Sequence, residues 1–252
     1  MNKPLITVVS VCYNAEKDIE KTMRSALSQT LQNIEFVIID GKSTDNTLGI
    51  ITSLRNEFPN RLIKIKSEED KGIYDAMNKA INMATGEWIF FLNSGDIFSY
   101  NHILENIFKH ELKDYSAIYT DVINSYNGKH VYKEAKRPFF AKSHEYLNMG
   151  FGHQSVIVKT HLAKKMMFDT SFKCCADFMM IKKIYDEEGK FLYIPLPICI
   201  TENSYGFSNN NQELQVKELA KINGVENTIK FKAFLFWMNT KKRIKQYIKY
   251  RQ

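Results

Sequence analysis

The chain has 252 residues, enough for one large domain with a sizeable buried core and no need of disulfide or metal staples. Hydrophobic residues make up 44% and charged residues 25%, which excludes a disordered chain, a collagen-like repeat and a membrane bundle. The 35 Lys and Arg against 28 Asp and Glu give a formal net charge of +7, so an anionic partner is expected: nucleic acid, a nucleotide or an acidic membrane surface.

The first hundred residues alternate β-branched runs with helical patterns, the mark of βαβ units around a mostly parallel sheet. Residues 5–11 read as a buried strand. Asn14 offers a helix cap, and Ile19, Met23 and Leu27 make one apolar stripe. A second strand over 34–39 runs into Asp40-Gly41, and Ser43-Thr44-Asp45 supplies turn and cap chemistry for a helix over 47–54. A third strand spans 62–66. Tyr74, Met77, Ile81 and Ala84 mark a helix face ending at Gly86, and 88–92 is an apolar strand that leads into Asn93-Ser94-Gly95-Asp96.

The second half is less regular. A helix is expected over 103–108, then a strand over 116–123, an Asn127-Gly128 hairpin turn and a strand over 130–133. A helix over 177–185, a strand over 191–195 and a polar loop over 203–212 complete the pattern. Tyr13-Asn14, Asp40 and Asp96 each follow a different strand, and ligands in open α/β sheets bind at the strands' carboxyl ends. Taken singly, each is equally a cap or turn residue.

Residues 1–14 enter a strand pattern at once, unlike a signal peptide, and no run of 18 or more apolar residues is present for an ordinary transmembrane helix. Cys12, Cys174, Cys175 and Cys199 fit neither a disulfide framework nor a CxxC pair, which points to a reducing compartment. A cytoplasmic location follows as the expectation. Neither GxGxxG nor GxxxxGK occurs, so the two common phosphate-binding glycine loops are absent.

The segments Val8-Val9-Ser10-Val11-Cys12-Tyr13-Asn14, Ser25-Ala26-Leu27-Ser28-Gln29-Thr30 and Ile39-Asp40-Gly41-Lys42-Ser43-Thr44-Asp45 resemble the family 2 glycosyltransferases. Asp70-Lys71-Gly72-Ile73-Tyr74-Asp75-Ala76-Met77-Asn78-Lys79 and Phe91-Leu92-Asn93-Ser94-Gly95-Asp96 continue the likeness in the same order, over residues 5 to about 200. The resemblance implies the A-type glycosyltransferase fold, a mostly parallel α/β sheet flanked by helices, binding a nucleotide-sugar and Mn²⁺ or Mg²⁺. It places Asp40 on the imide of the base, usually uracil, with Tyr13 and Asn14 lining the same pocket. Asp75 and Lys79 fall near the diphosphate, although four-residue spacing equally suits a surface ion pair.

Asp96 matches the carboxylate that holds the metal. Asn93 replaces an acid of that motif and would add a carbonyl oxygen or a water-mediated contact; Gly95 stands where another acid is common. Asp177, in Cys174-Cys175-Ala176-Asp177-Phe178, matches the catalytic base of inverting members, and its apolar neighbours should raise its pKa by desolvation. The competing reading is a helix N-cap. His153 is a candidate metal ligand or phosphate contact, with a satisfied core histidine as the alternative.

The expected activity is transfer of a hexose-type sugar from a UDP-sugar to a hydroxyl of a growing, lipid-linked surface glycan. A nucleotidyltransferase would need a triphosphate loop that Tyr13-Asn14-Ala15-Glu16 does not supply. Processive synthases carry transmembrane helices and a Gln-x-x-Arg-Trp motif, both missing here. Residues 1–202, the expected catalytic domain, hold 25 basic and 25 acidic residues, whereas 203–252 hold 10 and 3. The charge therefore belongs to a C-terminal helical tail, where Phe234, Leu235, Trp237, Met238, Ile244, Tyr247 and Ile248 interleave with lysines. That pattern over 228–252 suits an anionic membrane surface more than nucleic acid, and so a peripheral position on the inner face of the cell membrane. Packing on the catalytic domain is the alternative.

Overall fold

The computed structural model describes residues 3–136, 150–202 and 211–249, the last with side chains up to Met238 and at Thr240. Among the described residues nine strands form one sheet: β1 (Ile6–Cys12), β2 (Ile34–Asp40), β3 (Leu62–Ser67), β4 (Trp88–Phe91), β5 (Ile97–Phe98), β6 (Ala117–Tyr126), β7 (Lys129–Lys133), β8 (Val156–Lys159) and β9 (Phe191–Glu202). Their order is β3-β2-β1-β4-β8-β6-β9-β5, with β7 paired to β6. The β1–β2, β1–β4, β2–β3 and β6–β9 pairs are parallel; β4–β8, β6–β8, β6–β7 and β5–β9 are antiparallel. The expected mixed, mostly parallel α/β architecture is the one observed.

Helices α1 (Ile19–Leu27), α2 (Thr47–Glu57) and α4 (Ile103–Phe108) cover one face of the sheet, burying Ile19, Met23, Leu27, Ile51, Leu54 and Ile107 against Val8, Phe36, Ile38 and Phe90. The other face is covered by α3 (Ile73–Met83), α5 (Thr160–Met166) and α6 (Ala176–Asp186), with α7 (Gln212–Ile222) packed outside them through Leu214, Leu219 and Ile222. Both faces of β1 and β2 are therefore dry, which explains why these strands read as continuous apolar runs rather than alternating ones. Helix α8 (Ile229–Lys249) ends the described chain.

The expected elements form with small boundary shifts. Asn127 and Gly128 both take positive φ, 50° and 79°, as a two-residue hairpin turn between right-twisted strands requires. Three expectations change. Asn14 does not cap α1: its φ is 49° and its side-chain oxygen accepts from the Thr44 N–H at 2.8 Å, tying the β1–α1 loop to the β2–α2 loop. Strand β9 runs past the predicted end at residue 195, because a register shift opposite Asp121 accommodates Pro195 and Pro197, which have no N–H to give. Helix α7 starts inside the predicted loop, most of which (203–210) lies outside the described residues.

At the amino ends of the parallel strands lies a buried carboxylate. Glu35 is fully enclosed and accepts from Thr7 Oγ1 (2.6 Å), Thr85 N–H (2.8 Å) and Thr85 Oγ1 (2.7 Å), and it pairs with the Lys64 ammonium. Gly86 donates to Thr7 Oγ1 at 2.9 Å, and a Cβ there would meet Thr7 N at 2.5 Å, so only glycine lets the chain pass. Burial alone would raise the Glu35 pKa, but Lys64 and the threonine donors outweigh it and hold it below the usual carboxylate range. The unfolded chain thus binds this proton more tightly, so the stabilisation is present above the unfolded pKa and disappears as pH falls through the folded one. Glu35→Gln should cost about 1–3 kcal/mol at neutral pH and flatten the acid limb of a melting-temperature profile; an unchanged acid limb would show that Glu35 does not carry it.

Candidate active site

The rim formed by the carboxyl ends of β1 to β4 gathers most of the residues singled out in the sequence. Two loops there are laced together: Asn14 N–H donates to Ser43 Oγ (2.8 Å), Ala15 N–H to Thr47 Oγ1 (2.8 Å), Glu16 N–H to Asp45 (3.1 Å), and Asn46 N–H returns to Glu16 (3.0 Å). Tyr13, 63% exposed, projects beside this lattice as an open aromatic face.

Asp40 has a different station from the one expected. It is 0% exposed, and its carboxylate accepts from Ser43 N–H, Ser43 Oγ (2.5 Å) and Ser67 Oγ (2.6 Å). Such a group is an internal strut for the rim and has no open oxygen to offer a base directly. A second carboxylate, Asp70, lies just beyond β3 over Gly41. A Cβ on Gly41 would lie 2.5 Å from Asp70 Oδ2 and 3.4 Å from the Tyr13 ring, so the missing side chain at Gly41 leaves room for Asp70 beside Tyr13. Asp70 Oδ1 accepts from Gly72 N–H at 2.9 Å. Sequence reasoning passed over Asp70; the available signal was the glycine at position 41 immediately after Asp40.

Asp75 and Lys79 form the ion pair that their spacing allows, at 3.3 Å, and Lys79 also reaches Glu68 at 3.2 Å and the Glu69 carbonyl at 2.5 Å. Lys79 is thus engaged in holding the turn before α3. Asp75 accepts from Lys71 N–H at 3.0 Å and lines a cavity of about 540 Å³, together with Lys71, Tyr74, His153, Phe172 and Asp177. That volume lies within the range of small-molecule sites.

Inside this cavity Asp177, from the first turn of α6, meets two donors from distant parts of the chain. His153 Nδ1 lies 2.9 Å from Oδ2, and Tyr74 OH donates to Oδ1 at 3.2 Å. Burial alone would raise the Asp177 pKa, as its apolar neighbours suggested, yet the His153 charge and hydrogen bond, the Phe178 N–H and the Tyr74 hydroxyl reverse the sign and lower it. For His153 burial opposes the charged form, while Asp177 and Asp96 outweigh it and raise its pKa. The second ring nitrogen, Nε2, faces Asn93 Nδ2 at 3.2 Å. His153 thus sits between Asp177 on its Nδ1 side and Asn93 on its Nε2 side, and through Nδ1 it orients Asp177.

Asp96 is 7% exposed and accepts from Glu202 N–H at 3.2 Å; desolvation pushes its pKa up to about 6. Asn93 Oδ1 is buried and without a partner. A buried carboxylate strained by desolvation and an orphaned amide oxygen, three residues apart, fit a hard divalent cation, which takes oxygen ligands and keeps several of its own waters. Among the described residues no group of three or more His, Cys, Asp or Glu side chains is placed to hold a metal by itself. All four cysteines are free and buried.

Within the described part of α8 the sequence stripe divides. Phe231 is buried, and Phe234, Leu235 and Met238 are half-buried, while Ile229, Phe236 and Trp237 are 87%, 75% and 57% exposed. The side chains of Ile244, Tyr247 and Ile248 lie outside the described residues. No helix among the described residues is long and apolar enough to cross a membrane.

Comparison with known proteins assigns the geometry to a family. Residues 7–189 match the family described as Glycosyl transferase family 2. Over 92 residues the chain is 41% identical to the UDP-Glc:alpha-D-GlcNAc-diphosphoundecaprenol beta-1,3-glucosyltransferase WfaP of Escherichia coli, covering 36% of each protein. Over 127 residues it is 33% identical to a PGL/p-HBAD biosynthesis glycosyltransferase of Mycobacterium bovis, covering 49% of this chain and 48% of that one. The matched segments therefore span half or less of these relatives. Among solved structures, Staphylococcus aureus TarS 1-349 in complex with UDP-GlcNAc superposes with a TM-score of 0.69 at 21% identity, over 88% of this chain and 66% of that one. The mannosyltransferase PcManGT of Pyrobaculum calidifontis, in complex with GDP-Man and Mn2+, gives 0.62 at 19% identity over 79% and 57%. The fold is accordingly the A-type glycosyltransferase fold, and the chain belongs to glycosyl transferase family 2.

Proposed function

We propose that the chain is an inverting, non-processive glycosyltransferase that moves a hexose-type sugar from a UDP-sugar to a hydroxyl of a glycan or glycolipid acceptor. The observation that carries this reading is Asp177, a carboxylate lining the cavity, held by His153 and Tyr74 and kept ionised. An ionised, oriented carboxylate is what an attacking hydroxyl needs. The acceptor proton passes to Asp177, the acceptor oxygen bonds to C1 of the sugar, and the electron pair of the breaking C1–O bond leaves with the diphosphate.

The donor's base stacks on Tyr13 and offers its imide to Asp70, with Asp40 and Asn14 fixing the loops that shape this pocket. Lys71, on the cavity wall, and the start of α3 with Asp75 and Lys79 border the diphosphate. Asp96 and the Asn93 carbonyl would hold Mn²⁺ or Mg²⁺, which when bound supplies positive charge against the phosphates. WfaP, by its name, acts on a diphosphoundecaprenol-linked sugar, which supports a lipid-linked acceptor for this chain. The exposed Phe236 and Trp237 and the basic residues after them support attachment to the inner face of an anionic membrane.

Asp177→Asn should lower kcat by about 10²–10⁴-fold while leaving UDP affinity unchanged; full activity would remove Asp177 as the base. Release of pyrophosphate rather than a nucleoside diphosphate during turnover would instead favour a nucleotidyltransferase. In a thermal-shift screen, UDP-sugars should raise the melting temperature more with Mn²⁺ than with a chelator, and Asp96→Asn should erase that difference. An equal shift under both conditions rejects the metal assignment. Anionic vesicles should sediment the wild-type chain at low salt, and Phe236→Ser/Trp237→Ser should stay in the supernatant; equal behaviour of the two proteins argues that α8 does not face lipid.

A further inference from the structure

Behind the Asp177 wall of the cavity lies a buried carboxylate that the proposed reaction does not use. Glu218, on α7, is 8% exposed. Its Oε1 accepts from Lys173 N–H at 2.8 Å, and its Oε2 from Cys174 N–H at 2.8 Å and Cys175 N–H at 2.9 Å. Three successive backbone donors converging on one point form an anion nest, and here the chain fills the nest with its own side chain. A carboxylate so stripped of water is tolerable only because charge-assisted hydrogen bonds replace its hydration. The same helix grips the segment twice more: the Gln215 carbonyl accepts from Cys175 Sγ at 3.6 Å, and the Lys221 ammonium lies 5.1 Å over the Phe172 ring.

That segment is the approach to the base. Phe172, Lys173 and Cys174 line the cavity, and Cys175 is the residue from which α6 starts. Each residue of helix advances the chain by about 1.5 Å and turns it by about 100°, so a slip of one residue at 173–175 would swing Asp177 away from His153 and Tyr74. Misplacement by about 1 Å is enough to cost on the order of 10²-fold in rate.

We infer that Glu218 is a positioning residue for Asp177: by fixing the backbone of 173–175 it sets the register of the first turn of α6. The inference rests on the reading of Asp177 as the base. Gln at 218 would replace one acceptor oxygen with an NH₂ group that opposes the backbone donors, whereas Asp keeps both oxygens on a shorter stem.

The test compares the full-length wild type with Glu218→Gln, Glu218→Asp, Asp177→Asn and the Asp177→Asn/Glu218→Gln double variant. Measured for each are kcat, UDP affinity and alkylation of Cys174 and Cys175, followed by peptide mapping. Glu218→Gln should lose about 10- to 100-fold in kcat with UDP affinity within about twofold of the wild type, and Glu218→Asp should regain part of the loss. Cys175 should alkylate faster in Glu218→Gln, and the change should add no further loss in the Asp177→Asn background. Unchanged kcat in Glu218→Gln, or a parallel fall of kcat and UDP affinity, overturns the inference. Should Glu218→Gln fail to fold, Glu218→Asp decides the matter: wild-type kcat with faster alkylation refutes positioning. An active Asp177→Asn removes the base reading itself, a result separate from an inactive Asp177→Asn beside a fully active Glu218→Gln.

Discussion

Parallel pairing of β1 on both of its edges, with β2 and with β4, is the constraint from which the site follows. Parallel partners end on the same side, so Tyr13, Asp40, Asp70 and Asn93 are delivered to one rim although up to 80 residues separate them in sequence. The opposite ends of the same strands must then be closed without solvent, because both faces of β1 and β2 are dry. Glu35, Thr7, Thr85 and Lys64 do this with one carboxylate and four donors, and Gly86 removes the side chain that would stand in their way. One end is locked by polar bonds, which leaves the other end free to carry function.

The Asp177, His153 and Tyr74 cluster joins three separate pieces: the first turn of α6, the turn before β8 and the start of α3. Desolvation and charge oppose each other at this point, and charge wins. Burial alone would raise the Asp177 pKa; beside His153 the balance lowers it, at the cost of a weaker intrinsic basicity. At Asp96 burial outweighs the Glu202 N–H and the charges of His153 and Lys21, and the pKa is pushed up to about 6. Two acids of the same type thus end on opposite sides of their ordinary value, which is how a folded chain separates the tasks of carboxylates.

Much of this was legible in the sequence, and where it was not the reasons are physical. The strand and helix series through residue 91 follows from apolar runs and four-residue spacing, because each element there is short and regular, and β1, β2 and β4 are buried along their whole length. Strand β9 was cut short by two prolines, since a single strand cannot announce that its neighbour β6 will slip to accommodate them. Asp177 was legible as a candidate, but the sign of its pKa was not: that depends on His153, 24 residues earlier and without any periodic relation to it. Asp40 and Asp70 illustrate the same limit. Residue type marked Asp40, yet only the fold shows its carboxylate buried under Ser43 and Ser67, with Asp70 over Gly41 near the Tyr13 ring.

Charge is the remaining thread. The segment after residue 202 carries the whole excess of +7, so by composition it looks like a separate basic appendage. Packing divides the chain elsewhere: α7 inserts a carboxylate into the backbone ahead of α6, and α8 buries Phe231 while turning Phe236 and Trp237 outward. A net charge describes long-range attraction, whereas hydrogen bonds of 2.8 Å describe what is built into the body. The two scales place the edge of the folded body differently, and on the shorter one α7 belongs to that body.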